Sequence, residues 1–566
     1  MITKKEIVEL KLYLINTLHS KRLREQAIDQ QYVDDAFGID YLPEGTTQLK
    51  TGKAYRMVSA PAEHIITHNP VVYREQIGKA SEQAKRVGIE VNRWAKIMSR
   101  QNPNPYKEHV RKNLGKGEAW IYVLHNNDYK SDDINDLPVS FLIPDPTIVF
   151  ADVASGEVNG VPGRVIISFS RIASLVKRDY PDFQWLKKGR RKWDTSIPML
   201  MYWDKDSRYI EADEEALYTE ADMADSEGIQ ANVYGFVPLV HCYSGFGEGS
   251  ADGDPSTLAV SRIRKCRDLI GEYTAIKSVV NSFIFKYASP PVDLVYDPAI
   301  GTPTGDIGEN YDRSPHAFNV MGLPAGATIT KGVDKLPEQE LFQYLATIEN
   351  QIDEEDPLGQ IGQQIGTSGR QQLDAKAGAL ARFETVVENT AVSFSTAFGL
   401  ALRMIEKIPT IKPDTLGEND IGKNYNVTIE LKAEDPVASQ IKSADGDRKQ
   451  TQGIIDHETN LIEYQGFTQE QADQITSKLL VDNVIMNDPV IRRLMAIQVA
   501  REIGMEQQYT DLEKQLAQME KQTLKSAPET GKYGGEPRMG NIKTQTGAEM
   551  PDMSLTQRPE RMSAMQ

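Results

Sequence analysis

Two histidines one helical turn apart, in His64-Ile-Ile-Thr-His68, have the spacing at which a helix can offer both imidazoles to one metal ion. The zinc-protease pattern is not met, because Glu63 precedes the pair instead of following its first histidine. Polar surface or turn histidines are therefore expected. Asp252-Gly-Asp254 offers two carboxylates close together, but no glutamate completes a twelve-residue calcium loop. Pro255, which follows directly, favours a helix-capping role. Cys242 and Cys266 are the only cysteines, too few for a disulfide framework or a four-cysteine zinc site, and are expected as buried or half-buried thiols. No Gly-x-Ser-x-Gly elbow, Walker pair, dinucleotide glycine motif or oriented Cys–His pair occurs. These residues point away from an enzyme and from any cofactor.

A different chemistry is concentrated at 353–372. Asp353, Glu354, Glu355 and Asp356 close a helical stretch, and Pro357 sets its boundary by disfavouring helical geometry at the residue before it. Four acids at the negative end of a helix dipole are unfavourable, so something else must offset them. Basic neighbours in a ring are one candidate, and a channel wall that repels phosphates is another. Residues 357–372 then contain four glycines and five glutamines with one charge, Arg370. Gln360, Gln363, Gln364, Thr367, Ser368, Arg370 and Gln371 supply polar contacts. Such a loop can change shape and make short-lived hydrogen bonds, but a single cation gives it little hold on phosphate. It is not a phosphate-cradling nucleotide loop, since no Gly-Lys-Ser/Thr follows and no apolar strand precedes it. A flexible linker is the plain alternative.

The elements around these residues follow from hydrophobic period. Residues 5–36 read as an amphipathic helix, and a second runs from after Asn69-Pro70 to about Met98. The period then changes: 119–124, 139–143, 147–150, 165–169 and 199–203 are short β-branched or aromatic runs separated by turn residues, with a short helix at 171–180. From Pro255 the helical period returns for about thirty residues, a strut of roughly 45 Å. Residues 290–335 form a Pro/Gly-rich, β-rich insert with strand-like runs at 292–296 and 317–321, and a returning helix covers 336–356. Beyond the loop, 373–407 is a long helix with apolar residues on much of its circumference, which implies burial, in part against neighbouring subunits. Residues 424–432 alternate as one more strand that pairs with the early strands. Helices recur at 439–455, 468–480, 488–503 and 505–524, and 526–566 loses periodicity and is expected to be disordered.

Composition sets the outer bounds. With 566 residues, 40% hydrophobic and 26% charged, the chain has room for two to four domains and more than one core. Its formal charge of −17 argues against a general polyanion binder. No apolar run is long enough for a membrane span, and the first residues lack a signal-peptide core, so a chain that stays in the cytoplasm where it is made is expected.

Asn113-Leu-Gly-Lys-Gly-Glu-Ala-Trp-Ile-Tyr122, Pro144-Asp-Pro-Thr-Ile-Val-Phe-Ala-Asp152 and Gly235-Phe-Val-Pro-Leu-Val-His241, followed by the helix, insert, helix and loop series, give the chain a wider likeness. In that order and spacing it resembles the portal, or head-to-tail connector, proteins of tailed double-stranded DNA bacteriophages. The resemblance implies a multi-domain, mainly helical α+β fold with a wing (1–254 and 373–436), stem helices (255–289 and 336–356), clip (290–335), tunnel loop (357–372) and crown (437–525). The tail, 526–566, lies outside it. It further implies a homo-oligomeric ring, usually dodecameric, at one capsid vertex of the virion. Double-stranded DNA is packaged and ejected through its channel, and terminase and head-completion or adaptor proteins dock on the clip. Major capsid and scaffold proteins surround it, and no membrane is involved. ATP turnover belongs to the motor, so the portal is not an enzyme. Asp353, Glu354, Glu355 and Asp356 are the leading candidates for an acidic channel wall, which would keep the duplex centred. The competing readings are a DNA-processing enzyme, nuclease or packaging ATPase, which would need a carboxylate metal cluster or a nucleotide loop, and a non-viral helical scaffold.

Overall fold

The computed structural model describes residues 2–42, 46–65, 71–73, 81–131, 133, 135–180, 193–218, 224–251, 253–288, 292–296, 318–322, 339–355, 382–417, 419–431, 436–467 and 469–480. Helix and sheet are mixed, 53% and 16%, as an α+β chain requires. The chain divides into two units, Met1–Thr468 and Gln469–Gln566. In the second, the described residues form one helix, Gln469–Leu480. No helix among the described residues is long and apolar enough to cross a membrane.

The first unit opens with helices α1 (Lys4–Tyr13) and α2 (Ser20–Val33), joined by a π-helical turn at Leu14–Leu18. The single helix expected over 5–36 is thus interrupted. Next come α3 (Lys53–Ile65), the short strand β1 (Val71–Tyr73), α4 (Ser81–Arg100) and α5 (Pro105–Lys116). The β-rich stretch comprises β2 (Glu118–His125), β3 (Val139–Leu142), β4 (Val149–Ala151), the small hairpin β5 (Glu157–Val158) and β6 (Val161–Pro162), β7 (Arg164–Ile172), α6 (Ala173–Asp179), β8 (Ser196–Asp204), β9 (Ser207–Ala212), β10 (Glu215–Ala216), β11 (Gln230–Ala231) and β12 (Leu239–Tyr243). Then follow α7 (Pro255–Leu258), α8 (Arg267–Ala288), β13 (Val292–Tyr296), β14 (Phe318–Gly322), α9 (Gln339–Glu355), α10 (Glu384–Lys407), β15 (Thr428–Glu430) and α11 (Pro436–Thr451).

One antiparallel sheet runs β10-β9-β8-β7-β4, with β11 also on β9, and a second runs β12-β2-β3. Four of the five strand-like runs expected between 119 and 203 fall on these strands, the fifth, 147–150, is half a 3-10 turn (Pro146–Ile148) and half β4, and β9 and β12 were not anticipated. Alternation works on the first sheet because its two faces meet different partners. Phe150, Ile166, Leu200, Tyr202 and Tyr209 pack with Ile7 and Leu14 of the N-terminal helices. Ala173, Val176, Ile197, Met199 and Ile210 form a separate cluster with α6. The largest core gathers Trp94, Tyr106, Trp120, Phe394 and Phe398 from α4, α5, β2 and α10, and extends to Ile270, Tyr273, Ile348 and Ile352 of α8 and α9.

Two further expectations are revised, and a third is met over its described part. Val71–Tyr73, read as the start of a helix, pairs antiparallel with β15, so the late strand joins this segment and not the strands between 119 and 203 that were expected as its partners. The strut expected from 255 onward is broken: α7 ends at Leu258 and continuous α-helix resumes at Arg267. The cause is the end of α5. Asn104 and Pro105 start that helix, and Gly117, with φ of 79°, stops it. A Cβ on Gly117 would lie 2.4 Å from the Ala259 carbonyl carbon and the Val260 nitrogen. Arg262 N donates to Leu114 O (2.9 Å) and Ser244 Oγ to Val260 O (2.7 Å), so 259–262 spend backbone groups on α5 and β12 that a helix would need. Finally, α10 buries its apolar residues against β2, β12, α5 and β15 of its own chain. The burial expected for 373–407 is thus met within the chain over its described part, 384–407.

Candidate functional site

The stretch singled out by the sequence is the far end of α9, and five segments meet there. α8 and α9 run antiparallel: Arg262, just before α8, bonds Glu355 at the end of α9, while Tyr344 Oη donates to Glu272 (2.6 Å) further along. Between them Tyr273 Oη donates to Glu349 (3.0 Å) and is itself approached by Lys277 Nζ (2.9 Å). From α3, Lys53 Nζ reaches Glu349 (2.8 Å) and Asp353 (3.0 Å), and Arg56 lies 3.4 Å from Asp353. The Lys53 ammonium also sits 5.3 Å from the centre of the Tyr273 ring. Burial works against the Glu349 charge, but the hydrogen bond and charge of Lys53 outweigh it and hold the carboxyl below its usual value. Burial and the neighbouring Glu349 push the Tyr273 hydroxyl up to about 12.

Asp353 does not fit the acidic channel wall expected of it. It is 2% exposed and its charge is met by Lys53 and Arg56 of the same subunit, so it presents no free carboxylate to a passing polyanion. Glu354 and Glu355 are exposed. Asp356 lies outside the described residues, as do Gln360, Gln363, Gln364, Thr367, Ser368, Arg370 and Gln371. The puzzle of acids at a helix C-terminus has a local answer. Arg382 Nη1 donates to the Glu354 carbonyl (2.6 Å) and Arg262 Nη2 to the Glu355 carbonyl. Two guanidinium groups therefore cap carbonyls that have no donor within the helix, and they add positive charge at the negative end of its dipole.

A second charged cluster lies in the body and was not anticipated. Arg22 and Glu118 form an ion pair with side chains 0% and 1% exposed. Gln26 Nε2 also donates to Glu118 (2.8 Å), His241 Nε2 lies 2.9 Å from its other oxygen, and Arg22 Nη2 donates to Val149 O (2.9 Å). His241 stacks on Trp120 with ring centres 4.1 Å apart. Burial raises the Glu118 pKa, but Arg22, His241 and Gln26 overcome it and hold it at about 2. Burial likewise opposes a proton on His241, while Glu118 and Glu157 hold its pKa above the ordinary value. This buried carboxylate is met by three donors, and it ties α2 to β2 and β12. The sequence signal was faint: Arg22, Gln26 and Asp29 recur on the buried side of an otherwise polar helix.

The remaining chemical candidates resolve simply. Asp254 accepts from Ser256 N (2.9 Å) as the cap of α7, as expected. Cys242 and Cys266 are buried thiols, and burial pushes the Cys242 thiol up to about 12. His64 lies on α3, with its side chain and all of His68 outside the described residues. Among the described residues no three His, Cys, Asp or Glu side chains are placed to hold a metal ion. Neither a scan against protein-family models nor a search of the curated proteins finds a match to this chain.

Proposed function

We propose that this chain is a portal protein of a tailed double-stranded DNA bacteriophage, a non-enzymatic subunit of a ring whose channel passes DNA during packaging and ejection. The observation that carries the reading is the α8/α9 pair. The chain leaves an α+β body along α8, passes through the parallel pair β13–β14, returns along α9, and re-enters the body at α10. The parallel register, Val292 opposite Phe318 through Tyr296 opposite Gly322, sets the insert apart from an ordinary surface hairpin, because parallel strands need a crossover connection. Helix, crossover insert, returning helix and glycine-rich segment is the series that stem, clip and tunnel loop would occupy. In this reading the insert docks terminase and then head-completion or adaptor proteins, the body meets capsid and scaffold proteins, and 357–372 faces DNA. A net charge of −17 suits a channel that must not grip phosphates.

The test is the assembly state of the purified full-length chain, by light scattering and negative-stain imaging across concentration and salt. Rings with a central hole, near twelve subunits, are expected. A monomer at every condition, or DNA cleavage dependent on a divalent metal, would overturn the proposal.

A further inference from the structure

We infer that Arg262 and Arg382 form a two-point anchor that fixes both ends of the segment 356–381 to one place on the body. The segment leaves at Glu355 and returns at Arg382. Arg382 Nη1 binds the carbonyl of Glu354 (2.6 Å), so departure and return points lie within reach of one arginine side chain. The second point comes from a third strand of the chain. Arg262 Nη2 binds the Glu355 carbonyl, and its guanidinium lies 4.2 Å from the centre of the Phe383 ring, the residue after Arg382.

Both arginines rest on rigid supports. Arg262 is held by its own backbone N–H on Leu114 O (2.9 Å) at the end of α5. Phe383 is 1% exposed within the largest core, and its carbonyl accepts from Val387 N (3.0 Å) in α10. One turn back, Lys53 holds Asp353 and ties α9 to α3. Each arginine does two jobs: it satisfies a carbonyl with no helical donor, and it lowers the electrostatic cost of acids at a C-terminus. The two arginines thereby tie the C-terminal end of α9 to the end of α5 and to the start of α10.

The experiment is hydrogen–deuterium exchange on the full-length chain carrying Arg382→Ala, Arg262→Ala, both, or Arg382→Lys with Arg262→Lys. In the double alanine variant, exchange in peptides covering 350–355 should rise about tenfold, while β7 and β8 peptides stay as in the parent. Each single variant should give a smaller rise at the same place, and the lysine pair should recover part of the protection. Unchanged exchange at 350–355 in the double variant would overturn the anchor. So would a rise spread through β7 and β8 in Arg382→Ala, which would mean general destabilisation. Ring formation is measured on the same samples, so an anchor without rings would reject the portal reading and leave the anchor standing.

Discussion

Replacing Arg22 by methionine should cost about 3 kcal/mol at pH 7, the lower end of the roughly 3–5 kcal/mol that breaking a buried ion pair costs. The lower end applies because Glu118 keeps two partners, Gln26 at 2.8 Å and His241 at 2.9 Å, when the guanidinium is lost. Urea unfolding followed by tryptophan fluorescence is the assay, since Trp120 stacks directly on His241. With a slope of about 3 kcal/mol per molar, the midpoint should fall by about 1 M. The pH dependence has a definite sign. The Glu118 pKa is depressed from 4.5 to about 2 in the fold, so its contribution is present above pH 4.5 and lost as the pH falls toward 2. The variant lacks the main cause of that depression. Its deficit should therefore be full at pH 7 and shrink below about pH 5, where a proton relieves the buried carboxylate. Adding Glu118→Leu to Arg22→Met should recover most of the loss, because an apolar replacement of a whole buried pair is often close to neutral. A deficit under about 0.5 kcal/mol at pH 7, or one that grows on acidification, would refute the account of Glu118 as a carboxylate kept charged by Arg22.

Two other outcomes follow from particular residues. Gly117→Ala should lose at least about 2 kcal/mol by the same unfolding assay, because the new Cβ meets backbone at 2.4 Å and φ is 79°; a change within 0.5 kcal/mol would mean that 259–262 do not depend on the end of α5. If the loop faces DNA, replacing Gln360, Gln363 and Gln364 by lysine should leave rings intact but slow packaging at low salt, with the defect easing as salt rises. Parent rates in the triple variant at low salt would make the segment a plain linker.

What could be read from the sequence was what depends on local period and punctuation. β2, β7 and β8 were visible because each alternates or runs apolar between turn residues, and the cap at Asp254-Pro255 because its geometry is local. What could not be read was set by residues far apart in the chain. Leu258–Arg267 keeps a helical pattern, yet the backbone at 259–262 is claimed by Leu114 and Ser244, more than a dozen residues upstream. Val71–Tyr73 is a strand only because Thr428–Glu430 lies beside it.

The acidic end of α9 carries the same lesson into the candidate site. Four consecutive acids before a proline were legible as an unfavourable helix end that something else must offset, with a basic neighbour in a ring and a phosphate-repelling channel wall as the two candidates. The source of compensation was not legible, because Lys53 and Arg56 stand 300 and 297 residues upstream of Asp353, and Arg262 and Arg382 on the two chain segments that flank the α8–α9 excursion. A charge whose partners lie in the same subunit is spent on folding. Asp353 is spent in this way, whereas Glu354 and Glu355 contribute only backbone carbonyls to the anchor and keep exposed side chains. Among the described residues, any channel role for this helix end therefore rests on those two side chains, with Arg262 and Arg382 holding the backbone that presents them.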